Sequence, residues 1–106
     1  MLSGYRILWV IALFDLPVTT KAERKRATVF RNHLLDLGFE MVQFSVYMKH
    51  CAGKEQADVI ERKIILTVPT YGNVKLLQIT DKQFGAILHL GKGSKRQINS
   101  DQLALF

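Results

Sequence analysis

The first marked pattern in the chain lies in residues 6–17, where an unbroken apolar stretch, residues 7–14, ends abruptly at Asp15. The stretch is shorter than the roughly 20 apolar residues of a membrane helix, and its β-branched and aromatic content favours a buried strand. Pro17 cannot donate a hydrogen bond to a sheet and disfavours helical backbone at Leu16. The pattern therefore predicts a rigid strand that presents the Asp15 carboxylate at its carboxyl end.

A helical pattern follows from Lys21 onward. Thr20 and Glu23 have the spacing of a capping box, in which each side chain bonds the free backbone amide of the other residue. Gly38 is expected to end the helix in a left-handed conformation. The apolar residues that recur at helical spacing, and so predict the buried stripe, are Ala27, Phe30, Leu34 and Leu37.

The next stretch, residues 39–48, is rich in aromatic and β-branched residues with partial alternation, which predicts β structure. Two arrangements fit it: one bent strand, or a tight hairpin broken near Phe44 and Ser45. Because Gly, Pro and Asn are all absent from this stretch, local turn chemistry leaves both arrangements open.

The second half of the chain continues with a helical pattern over residues 55–66, whose buried face carries Ala57, Ile60 and Ile64. Weak alternation predicts a strand over residues 74–80 and a shorter strand over residues 86–90. We therefore expect one domain of residues 1–90. Residues 91–106 are expected to be a basic linker and an apolar C-terminal tail that packs on the dimer or on a partner.

This order of elements predicts an α+β fold, a ferredoxin-like βαββαβ sandwich with two helices on one face of an antiparallel sheet. A short C-terminal strand and tail would follow. The other face of the sheet would be bare and apolar. Because small proteins usually cover such a face with a second copy, we expect a homodimer.

Composition limits the cellular setting. A chain of 106 residues makes one domain with a real core. The lone cysteine, Cys51, excludes an internal disulfide and a cysteine-based zinc cluster, and is expected to be a small buried hydrophobe. The first residues resemble no signal peptide, and no apolar run is long enough to cross a membrane. We expect a cytoplasmic protein with no membrane partner.

The charge balance favours a polyanionic partner. Fifteen Lys and Arg against nine Asp and Glu give a net charge of +6, which makes nucleic acid the first partner to consider. A basic helix face is also consistent with a merely solvated surface, so both explanations stay open. The cations of the first predicted helix are Lys21, Arg24, Lys25, Arg26 and Arg31.

Few side chains offer recognisable chemistry. No GxSxG elbow or phosphate-binding glycine pattern occurs, and His33, His50 and His89 lack partners at metal-ligand spacing. Asp15 remains, since phosphodiester hydrolysis with a hard cation needs a carboxylate. One carboxylate is a poor Mg²⁺ site, but two copies facing each other across a dimer axis would share one ion. Asp15 is equally consistent with a plain turn residue.

A set of short motifs resembles the small CRISPR-associated endoribonuclease family, the second of the two universal spacer-acquisition proteins. The resemblance is closest to the form found with single-protein-effector systems. It is dense in the first half and extends over the whole length, and the order and spacing of the motifs carry it. The motifs are Phe14-Asp15-Leu16-Pro17, Thr20-Lys21, Arg24-Lys25, Phe30-Arg31, Leu34-Leu35, Gly38-Phe39, Gln43-Phe44-Ser45-Val46-Tyr47 and Asn73-Val74.

The resemblance implies a ferredoxin-like homodimer and a nuclease, acting on RNA or DNA, that depends on Mg²⁺ or Mn²⁺. Asp15 takes the position of the family's metal ligand and so is the implied catalytic residue. In many relatives a second aspartate follows closely, whereas here Pro17, Val18 and Thr19 fill that stretch.

The resemblance also implies an adaptor, a dimer that grips a protospacer duplex by its backbone and bridges subunits of the CRISPR integrase. Backbone contacts need cations but no base-reading geometry. The implied nucleic-acid-binding residues are Lys21, Arg24, Lys25, Arg26 and Arg31, and the implied partner-binding residues are Leu103, Leu105 and Phe106.

Three hypotheses follow: a metal-dependent nuclease, a non-catalytic adaptor on duplex DNA, and an unrelated ferredoxin-like dimer with a solvated basic face. We favour the adaptor as the physiological role and the nuclease as the activity implied by the family.

Overall fold

The computed structural model describes residues 7–92, which form an antiparallel four-stranded sheet with helices packed against it. The central strands are β1 (Leu8–Asp15) and β3 (Val46–Cys51), flanked by β4 (Asn73–Thr80) and β2 (Glu40–Gln43) in the order β2-β3-β1-β4. Two helices, α1 (Lys21–Asp36) and α2 (Lys54–Ile65), make the long connections. The predicted ferredoxin-like βαββαβ arrangement is confirmed.

The core lies between the sheet and these two helices. Val10, Ala12 and Phe14 alternate along β1 and are buried on the helix side. Phe30 of α1 packs against Phe14 edge to face, with ring centroids 5.3 Å apart. This packing fixes β1 from within the core, so the backbone of Asp15, its last residue, is held by a rigid element.

Helix α1 begins and ends as predicted. The Glu23 amide donates to the Thr20 hydroxyl at 3.1 Å, and the Thr20 amide donates to Glu23 Oε1 at 2.9 Å. Because the backbone amide of Thr20 stabilises the carboxylate form, it lowers the pKa of Glu23. This contribution to the cap is therefore lost as the pH falls through that lowered pKa. At the other end Gly38 takes the left-handed conformation, with φ of +98°.

The undecided stretch is a hairpin. Phe44 and Ser45 form the turn between β2 and β3, and the Phe14 amide donates to the Ser45 carbonyl at 3.1 Å. The register shifts between Met41 and Gln43, as in a β-bulge. The hairpin turn is thereby held against the carboxyl end of β1.

The prediction of a strand over residues 86–90 is wrong. A short helix, α3 (Asp81–Gly85), follows β4 directly. The Gln83 amide donates to the Thr80 hydroxyl at 3.1 Å, and the Thr80 amide donates to Gln83 Oε1 at 2.9 Å. This second capping box starts a helix where the sheet ends, and residues 86–90 then pair with no strand in the described structure.

Two other predictions concern the chain's extent and setting. Leu103, Leu105 and Phe106 of the apolar tail lie outside the described residues, so the domain boundary near residue 90 stays a prediction. Among the helices of residues 7–92, none has the length and apolar character needed to cross a bilayer.

Candidate nucleic-acid and metal site

Asp15 lies at one edge of the sheet, where three oxygen-bearing side chains meet. It is exposed at the end of β1 and is the register partner of Asn73, the first residue of β4. Directly opposed residues in antiparallel strands point to the same face. Ser45, in the β2–β3 turn, lines the same depression as Asp15 and Asn73. A carboxylate, an amide and a hydroxyl therefore border one site.

The depression at this edge has a volume of about 390 Å³. The remaining lining residues are apolar except for Lys75, whose register partner is Leu13. Within the described part of the chain the one ion pair joins Lys54 to Asp58, so the Lys75 ammonium is not paired with Asp15. An exposed ammonium beside hard oxygen atoms suits a phosphate group. The residues that complete the lining are Phe14 and Val46.

These oxygen donors fit a hard divalent cation, but only in part. Mg²⁺ binds carboxylate and carbonyl oxygens and keeps several waters. No group of three or more His, Cys, Asp or Glu residues occurs close together in residues 7–92. One chain therefore supplies a single carboxylate, Asp15, and a complete site needs another source of charge.

The sheet face that bears Asp15 is exposed near this edge. Leu13 and Leu77 on that face are 37% and 49% exposed, and their register places them on adjacent strands, β1 and β4. The far end differs from the bare face predicted, because Phe84 of α3 stacks on Trp9 with ring centroids 3.7 Å apart. The open apolar area is therefore confined to the part of the face nearest Asp15.

The cations of α1 do not form a single patch. Helical periodicity places Arg24 and Arg31 on one flank and Arg26 on the other, with Lys21 and Lys25 between them and exposed. This spread means that one flat ligand surface would not contact all five.

Two of these arginines are already engaged. Arg24 Nη1 donates to the carbonyls of Val18 at 3.2 Å and Thr19 at 3.0 Å, and so holds the β1–α1 loop. Arg31 Nη2 donates to the Thr28 hydroxyl at 3.4 Å. Lys21 and Lys25 are therefore the clearest candidates for contacts with a phosphate backbone.

Two exposed aromatic residues were not predicted as part of the site. Phe44, in the β2–β3 turn, is 87% exposed, and Tyr71, two residues before Asn73, is 90% exposed. Tyr71 has a φ of 62°, which non-glycine residues rarely adopt. An aromatic residue between Pro69 and Gly72, where a turn favours polar residues, is the signal that could have identified it. Such rings beside a phosphate-binding site suit stacking of unpaired bases.

Comparison with known proteins gives a consistent result. Residues 8–87 match the family described as CRISPR associated protein Cas2. The CRISPR-associated endoribonuclease Cas2 of Paracidovorax avenae is 47% identical over 108 residues, covering 100% of both chains. That of Flavobacterium psychrophilum is 46% identical over 109 residues, covering 99% of this chain and 93% of the relative. The family match spans every strand and helix described above.

One solved structure shares the fold. The crystal structure of Streptococcus pyogenes Cas2 at pH 6.5 superposes with a TM-score of 0.58 at 20% identity, covering 78% of this chain and 99% of that chain. At this level of identity the likeness concerns the fold alone.

Proposed function

The chain belongs to the Cas2 family of CRISPR-associated proteins, and from that premise we propose that it is a homodimeric, metal-dependent nuclease that cleaves phosphodiester bonds at Asp15. The observation that carries this proposal is the edge depression, where the exposed Asp15 carboxylate lies with Asn73, Ser45 and Lys75. The name of its relatives, endoribonuclease, makes RNA the first substrate to test.

In this proposal each residue of the depression has a distinct part. Asp15 would hold Mg²⁺ or Mn²⁺ through its carboxylate, with the Asn73 amide oxygen and the Ser45 hydroxyl as further oxygen ligands. When bound, such a cation lowers the pKa of a water ligand and neutralises charge on the phosphodiester. Lys75 would bind a non-bridging phosphate oxygen and so orient the substrate at this edge.

The dimer would supply the missing carboxylate. Leu13 and Leu77 form an exposed apolar surface on the same face as Asp15. Burial of this surface against a second copy would remove it from water and bring the partner's Asp15 toward the first. Two carboxylates would then be available to hold one ion.

The test is cleavage of single-stranded RNA and of duplex DNA by the purified protein, with Mg²⁺ or Mn²⁺ and with a chelator. We expect cleavage that requires the metal and is lost when the chelator is added. Cleavage that continues in the chelator would contradict the proposal, and so would the absence of cleavage with either metal.

The dimer can be tested separately. Leu77→Glu places a charge on the exposed apolar surface, and because burying an unpaired carboxylate is costly, we expect the variant to be monomeric in sedimentation. The matched control is Leu35→Glu, since Leu35 is 48% exposed on the outer side of α1. The same oligomeric state in wild type and both variants would contradict a dimer built on this face.

A second candidate function is a non-catalytic adaptor that clamps duplex DNA and bridges subunits of the CRISPR integrase. Two observations favour it: the single carboxylate that each chain supplies at the edge, within residues 7–92, and the exposed cations of α1. Under this candidate, Asp15 is dispensable, and Lys21 and Lys25 would lie along the phosphate backbone.

The adaptor predicts a defined dependence on salt. Each lost phosphate contact reduces the slope of log affinity against log salt by about 0.9 for duplex DNA. We expect Lys21→Gln with Lys25→Gln to weaken duplex binding at low salt and to flatten this slope by about 2 units, as measured by fluorescence anisotropy. The control is Lys63→Gln, an exposed cation of α2. Equal slopes for the wild type and the double variant would contradict the assignment.

A further inference from the structure

A cavity of about 320 Å³ lies on the helix side of the protein, away from the open sheet face. One wall is formed by α1 and the other by the loop that follows α2, which leads into Asn73, the partner of Asp15. Its volume is in the range of small-molecule sites. The lining residues are Lys25, Arg26, Val29, Phe30, His33, Thr67 and Pro69.

One buried polar atom in this cavity lacks a partner. The Nε2 atom of His33 is shielded from solvent and has no hydrogen-bond partner among the described residues. Buried polar atoms are nearly always paired, so an orphaned ring nitrogen calls for an explanation. Beside it lie the apolar side chains of Val29, Phe30 and Pro69. The wall therefore suits a flat ring with one polar edge.

Two cations belong to the same cavity. Lys25 and Arg26 are exposed and line it, and neither takes part in an ion pair within residues 7–92. An anionic group attached to the ring would therefore meet complementary charge where the cavity opens to solvent.

We propose that this cavity binds a nucleotide. The base lies against Val29, Phe30 and Pro69 with a hydrogen bond to His33 Nε2, and the phosphate contacts Lys25 and Arg26. The nucleotide is either free or an unpaired residue of a nucleic acid held along α1. The inference shares Lys25 with the adaptor candidate but requires neither Asp15 nor the dimer.

The first experiment compares three ligands by NMR titration of the wild-type protein: deoxyadenosine monophosphate, deoxyadenosine and deoxyribose 5-phosphate. We expect the nucleotide to shift the signals of Val29 and His33 and to bind at least about 10-fold more tightly than either fragment, because each fragment lacks one of the two contacts. Equal affinity for the nucleotide and deoxyribose 5-phosphate would overturn the proposal, since charge alone would then explain binding.

The matched variants are Val29→Trp and Leu35→Trp. Val29 is 60% exposed, so tryptophan can fill the cavity without entering the core, whereas Leu35 lies on the same helix outside the cavity. We expect a loss of at least about 10-fold in nucleotide affinity for Val29→Trp and no change for Leu35→Trp. Equal effects of the two variants would overturn the assignment.

Further arms separate the sources and the competing proposals. A duplex with a one-nucleotide overhang should bind more tightly than the same duplex with an abasic overhang if the nucleotide belongs to a nucleic acid, and equally if it is free. Signal shifts at His33 with an acidic aromatic peptide, and none with the nucleotide, would overturn the proposal. Nucleotide binding that persists in Asp15→Ala supports this cavity even where the nuclease proposal fails.

Discussion

Replacing Asp15 with asparagine is expected to lower the rate of metal-dependent cleavage by roughly 10²-fold or more. The side chain keeps its size but loses the charge that would hold the cation. Because Asp15 is exposed at the end of β1, the substitution should leave the fold intact. The measurement is the cleavage rate on single-stranded RNA at saturating Mg²⁺ or Mn²⁺.

The control for this prediction is Asp36→Asn, which removes an exposed carboxylate at the end of α1. We expect it to cleave at the wild-type rate. Sedimentation and circular dichroism should be the same for the wild type and both variants. Cleavage by Asp15→Asn at the wild-type rate would contradict the proposed site and indicate a contaminating nuclease.

Replacing Phe30 with alanine is expected to lower the free energy of unfolding by about 3–5 kcal/mol. Phe30 is buried between α1 and the sheet and packs edge to face on Phe14. The substitution removes apolar area and leaves a cavity that the surrounding side chains cannot fully close. Urea unfolding, followed by far-ultraviolet circular dichroism at one fixed protein concentration, measures the change.

Val29→Ala is the control, because it truncates the neighbouring residue on the exposed side of the same helix. Its effect on the free energy of unfolding should stay within about 0.5 kcal/mol. Equal losses for Phe30→Ala and Val29→Ala would show that the loss does not come from core packing.

The elements with strong local signals could be predicted from the sequence. The unbroken apolar run before Asp15 and the Thr20 capping box identified β1 and the start of α1. The hairpin at Phe44 could not be chosen over one bent strand, because a contact distant in sequence, from the Phe14 amide to the Ser45 carbonyl, holds it. Helix α3 was missed although Thr80 and Gln83 have the same capping-box spacing.

The site could be predicted only in part. Asp15 was identified because one strand positions it. Its neighbours Asn73 and Lys75 were not, because their proximity depends on the register between β1 and β4, which no local pattern specifies. The roles of the basic residues also depend on tertiary structure, since the hydrogen bonds of Arg24 to its own loop are visible only in the fold.

The contact between Trp9 and α3 gives the protein a built-in optical probe. Trp9 is the only tryptophan of the chain, it stacks on Phe84, and its Nε1 donates to Asp81 Oδ1 at 2.8 Å. Its fluorescence therefore reports on the environment of one end of the open sheet face. Release of α3 would change the emission spectrum, whereas events confined to the Asp15 edge would leave it unchanged.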